Sequence, residues 1–178
     1  MNKINLEQEA IAAGFTHTAP LKTETLAFLP EVRDMCRADR CHNFGKNWMC
    51  PPACGSLEEC AAKAAEYSSG IIVQFVGEIL DSFDIEGMDE VMRRHKECFL
   101  KLTDNLRRSG TDFMPLGAGA CTICTRCACP ENPCRFPEKA VMSMEAAGLW
   151  VSDICQKNVL KYNYGQGFLA FTSCILVK

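Results

Sequence analysis

The sequence predicts a single α+β or α/β domain, residues 1–178, with a mixed sheet of about 3–5 strands, packed helices and two cysteine-rich metal-binding loops. Three observations predict it. Stretches with apolar residues at three- and four-residue spacing alternate with short β-branched runs. Hydrophobic residues make up 48% of the chain, enough to build a core. Nine of the thirteen cysteines fall in two irregular segments, "CRADRCHNFGKNWMCPPAC" at 36–54 and "CTICTRCACPENPC" at 121–134.

In chain order, "KINLEQEAIAA" carries Ile4, Leu6 and Ile11 and runs into Gly14, which predicts a short helix with a glycine stop. "LAFLPEV" reads as extended up to its proline. "SLEECAAKAAEYSSG" predicts a helix with Ser56 as N-cap, Glu58 and Glu59 in the first turn and Gly70 beyond its end. "IIVQFVGEI" is β-branched and predicts a strand. "MDEVMRRHKECFLKLTDNLRRSG" predicts a long amphipathic helix with Met88, Val91, His95, Cys98, Leu102 and Leu106 on one face. "DFMPLGAG" is a short strand leading into the second cysteine group. "MEAAGLWVSDICQKNVL" reads as helical with a break near Gly148, and "GFLAFTSCILV" as a strand apolar enough to be central.

Charge and patterning exclude several classes. The net charge is −3 and no concentrated basic patch stands out, so nucleic acid is not an expected partner. The N-terminal "MNKINLEQEAIAAGF" has charges where a signal peptide needs an apolar core. The longest apolar runs fall short of the roughly 20 residues that span a bilayer. A soluble, cytoplasmic protein with no membrane partner is the expectation. There, thirteen cysteines, an odd number and tightly grouped, point to metal rather than to a disulfide scaffold.

Cys121, Cys124 and Cys127 stand at C-x2-C-x2-C, with Cys134 farther on. Three closely spaced thiolates and one distal thiolate are the grammar of a [4Fe–4S] cluster, whereas zinc sites more often use two separate C-x2-C pairs. "GAGA" before Cys121 lets the backbone approach a cluster closely. Cys129 rivals Cys134 as fourth ligand, but only one residue separates it from Cys127. Arg126 and Arg135 either offset the cluster's charge or are surface residues.

Cys36, Cys41, Cys50 and Cys54 are spaced more loosely and suit a loop wrapped around a metal. Pro51 and Pro52 restrict the path after Cys50. Cys54 is taken as the fourth ligand, with His42 a weaker candidate and Cys60 a substitute. Trp48 is expected to shield the site from water. "FGKN" fails as a phosphate loop, because Asn47 stands where Ser or Thr would hold magnesium, and Lys46 reads as a surface residue. Cys60, Cys98, Cys155 and Cys174 read as small hydrophobes of the core.

In order and spacing, "FGKNWMCPP", "CTICTRC", "PCRFP" and "MSMEAAGLWV" resemble the predicted metal-binding proteins of domain-of-unknown-function family 2284, over residues 30 to 177. The family pattern matches Cys36, Cys41 and Cys50 in the first group and Cys121, Cys124, Cys127 and Cys134 in the second; Cys54 matches least closely. The resemblance implies metal or iron–sulfur binding in anaerobic prokaryotes and no particular reaction. The expected function is therefore a cytoplasmic iron–sulfur protein, with one or two [4Fe–4S] clusters, that carries electrons or supports redox chemistry on a protein partner. One alternative is a structural or interaction module held by zinc or a cluster. The other is an enzyme whose cluster keeps an open coordination position for a small-molecule substrate. No Ser/His/Asp pattern, nucleotide fingerprint or carboxylate pair stands out.

Overall fold

The last strand in the chain lies in the middle of the sheet. The computed structural model describes residues 4–178. Its sheet runs β1 (His17–Leu21), β2 (Ser69–Glu78), β5 (Phe168–Val177), β3 (Phe113–Gly117), β4 (Met142–Ser143). All neighbours are antiparallel except the parallel pair β3–β4. The architecture is the mixed sheet with packed helices that the sequence predicts.

Period-2 alternation divides the sheet between two cores. Ile72, Cys174 and Leu176 point to one face, while Ile71, Val73, Ile175 and Val177 point to the other. The first face is covered by α3 (Leu57–Ala64) and α5 (Val151–Lys157), and the second by α1 (Leu6–Ala13) and α4 (Ile85–Arg108). Both faces being covered explains why β2 and β5 read as near-continuous apolar runs.

The helix termini follow the sequence signals. Gly14 ends α1 at φ 112°, and Ser56 and Glu59 form a reciprocal capping box on α3. In α4 the buried stripe is Val91, His95, Phe99, Leu102, Thr103 and Leu106. Met88 and Cys98 are only half-buried, because the 3.6-residue period carries the stripe to Phe99. Cys60, Cys155 and Cys174 are buried as expected, and Cys98 is half-buried.

Two features differ from the expectation. The helix read over "MEAAGLWVSDICQKNVL" is confined to α5. Residues 144–149 instead form a turn closed by Leu149 N–H donating to Met144 O at 2.9 Å. Gly148 sits there at φ +87°, a conformation that breaks a helix. The strands β1 and β4 had no clear signal: β1 contains Pro20 and β4 is two residues long. Both lie at sheet edges, where proline and short strands are tolerated. "LAFLPEV" is extended up to Leu29, as the sequence predicts. Phe28 bridges Leu149, and Pro30 then starts α2 (Pro30–Asp34) at the position where its missing N–H costs nothing.

Among the described residues no helix is long and apolar enough to cross a membrane.

Candidate metal centre

The first cysteine loop leaves α2 and returns to the fold at α3. Its turns are tied internally. The Asp39 carboxylate accepts from Phe44 N–H at 2.9 Å and Lys46 Nζ at 3.3 Å, which holds Lys46 at the surface and away from the thiols. Gly45 N–H donates to Pro51 O at 2.9 Å, and Cys54 N–H to Cys50 O at 3.1 Å. His42 is exposed, at φ 56°.

The second loop joins β3 to β4. The Lys96 ammonium, from α4, donates to Ala120 O at 2.8 Å and fixes the start of this loop. Arg135 donates to Arg126 O at 2.9 Å, closing the loop on itself, and both arginines are exposed.

The two loops lie against each other. Asn47, buried to 3% exposure, donates to Cys121 O at 3.0 Å and accepts from Met49 N–H at 3.0 Å. Trp48 Nε1 donates to Asn132 O at 2.9 Å. The Cys129 sulfur approaches Gly45 O at 3.8 Å. Trp48, half-buried, is thus a clasp between the loops.

All thirteen cysteines are free thiols. Cys36, Cys41 and Cys50 line one wall of a cavity of about 430 Å³ at the end of the sheet. Cys54 lines a separate cavity of about 610 Å³, together with Cys134 and Trp48. Its sulfur accepts from Arg33 Nη2 at 2.8 Å. Cys121 lines a small cavity of about 60 Å³ against α4. Cys124 and Cys127 are half-buried in the second loop. Among the described residues, no three His, Cys, Asp or Glu side chains stand in a geometry that holds a metal ion.

The chemistry of the donor set nevertheless fits a metal. Burial, and then the charges of Cys41, Cys54, Cys36 and Cys121, push the Cys50 thiol up to about 12. Burial raises Cys36 as well, followed by Cys41, Glu145 and Cys54, with Arg33 opposing. Crowded, desolvated thiols hold their protons, and a cation that replaces those protons relieves both the crowding and the burial. Lys96 is the other nearby cation. Burial lowers its pKa, and the charges of Cys121 and Cys50 oppose that shift. By contrast His95 is held neutral, its pKa pushed down to about 3 by burial and by Lys96.

Four residues of this region were not singled out by sequence reasoning: Arg33, Lys96 and Glu145 were unremarked, and Asn47 was read only as a failed magnesium position. Asn47, Lys96 and Glu145 lie inside stretches with a recognisable signal, but each of the four acts across a long sequence separation that no local pattern encodes.

A mixed sheet flanked by helices, with two apposed loops of free thiols, defines a cysteine-rich α+β domain. The family model described as "Predicted metal-binding protein (DUF2284)" matches residues 19–177, and the chain belongs to that family. No curated protein and no solved structure matches the chain.

Proposed function

We propose that this metal-binding protein is an iron–sulfur protein in which Cys121, Cys124, Cys127 and Cys134 hold a [4Fe–4S] cluster. A cluster of that kind supplies one-electron redox chemistry. The observation that carries the reading is the compact C-x2-C-x2-C triplet on the β3–β4 loop, apposed to a second loop of free thiols. The glycine-bearing segment before Cys121 supports it. Gly119 has φ +66°, which favours glycine, and a Cβ there would meet Met92 Cε of α4 at 3.4 Å, so the backbone leading into Cys121 packs close against that helix.

The second loop is also where electrons would enter or leave. Thr122, Thr125 and Arg126 are exposed beside the half-buried Cys124 and Cys127. A redox protein partner docking on that loop, in the cytoplasm of an anaerobe, is the setting this reading expects. The first group supplies a second metal centre.

The test is anaerobic purification followed by iron, acid-labile sulfide and zinc analysis with a visible spectrum. The reading expects iron and sulfide in equal amounts and a broad visible absorption. Zinc alone, with no such absorption, would favour a zinc-held structural module and overturn the redox reading.

A further inference from the structure

We infer that the cavity between the first cysteine loop and the sheet is a small-molecule site. In it, a metal that draws together Cys36, Cys41 and Cys50, which share the cavity wall without standing in a metal-holding geometry, would present its remaining coordination position to an amine-bearing ligand with an apolar body. The inference rests on the metal-binding reading above and goes beyond it by assigning a ligand.

Three thiols share this cavity and the fourth leaves it. Cys36, Cys41 and Cys50 line its wall, whereas Cys54 lines the neighbouring cavity. The Cys54 sulfur already accepts from the Arg33 guanidinium at 2.8 Å, so it has a charged partner without metal. Three protein ligands with one open position is the pattern of a reactive metal site, and four is that of a closed structural one. At about 430 Å³ the cavity falls within the roughly 300–1,000 Å³ that small-molecule sites occupy.

The facing wall sets the ligand's charge. Glu145, Ser143, Tyr162 and Thr172 supply its polar groups, and no lysine or arginine lines the cavity among the described residues. A carboxylate or phosphate there would meet the Glu145 carboxyl and three thiols with no lysine or arginine on the wall itself; Arg33 and Lys96 act on Cys36 and Cys50 from outside the lining. An ammonium gains from both the carboxyl and the thiols. Burial raises the Glu145 pKa; hydrogen bonds from its own backbone and from Ser143 oppose the shift but no basic group does, so an ammonium would meet a carboxyl with no cation paired to it. Phe44, Met92 and Phe171 line the rest and suit an apolar body.

The wall is pre-formed. Ala146 N–H donates to Ser143 Oγ at 3.0 Å, and Gly148 N–H to Glu145 O at 2.9 Å, which fixes the turn carrying Glu145. Buried Gln74 donates to Lys161 O at 3.0 Å and pins the segment carrying Tyr162.

Three small thiols of similar size and different charge test the inference on the full chain, reconstituted anaerobically with iron and sulfide and with metal counted first. They are cysteamine, 2-mercaptoethanol and mercaptoacetate, titrated against the visible spectrum. Cysteamine is expected to perturb the spectrum with about tenfold tighter apparent affinity than mercaptoacetate, as a desolvated charge pair implies. In Glu145→Gln the two should converge at unchanged metal content, and Cys54→Ser should keep its full metal. If Glu145→Gln does not fold, the charge series on the unaltered chain decides alone. Metal at the first group with no response, or an equal response to all three thiols, overturns the ligand assignment and leaves the metal reading intact. Loss of the first centre in Cys54→Ser overturns the open position. Absence of metal overturns the metal reading itself.

Discussion

Asn47 carries the contact between the two cysteine loops. Its buried amide satisfies the Cys121 carbonyl and the Met49 N–H at once. Asn47→Ala would leave both without a partner, at a cost of about 1–3 kcal/mol for a buried unsatisfied polar group. A lowered denaturant midpoint together with faster metal loss to a chelator is expected. A midpoint and a loss rate equal to those of the unaltered chain would show that the loops are held together elsewhere. The sequence gives Asn47 no such role, because its partner lies 74 positions away and no local pattern encodes that separation. The same holds for Trp48 and Asn132, 84 positions apart. The thiols themselves were legible because their spacing is local. Which thiols share a cavity was not, since that depends on how one loop packs on the other.

At the scale of elements, the turn at residues 144–149 anchors the first loop's entry to the sheet. Leu29 N–H donates to Gly148 O at 2.8 Å, and Phe28 pairs with Leu149. A Cβ at Gly148 would lie 2.5 Å from Leu57 Cδ2 and 3.1 Å from Leu29 O, and φ is +87°. Gly148→Ala is therefore expected to cost more than about 1 kcal/mol and to loosen α2 and α3 together. Hydrogen exchange should show it as reduced protection at the starts of both helices. Unchanged protection would place the anchor elsewhere. The elements read correctly from sequence are α1, α3, α4, β2, β3 and β5, and the longest of them, α4, β2 and β5, repeat their pattern over several turns or pairs. The helix read over 144–149 failed because one glycine contact with Leu29, far away in the chain, overrides a stretch of good helix formers.

For the whole molecule, the sheet and its two cores account for folding of the scaffold, but the cysteine loops bury little apolar side chain. Ordering each loop residue costs about 1–2 kcal/mol, and metal is the interaction that offsets it. Chelation under anaerobic conditions should lower the melting temperature and leave the scaffold's secondary structure in place below the transition. Identical melting of the metal-loaded and metal-free forms would show that the loops are ordered by protein contacts alone. The central claim concerns the second loop, and Cys124→Ser tests it most directly, with Cys129→Ser as the comparison. Counting iron and acid-labile sulfide per chain, the [4Fe–4S] assignment predicts that Cys124→Ser loses about four irons and four sulfides while Cys129→Ser loses none. Unchanged iron and sulfide in Cys124→Ser would contradict it.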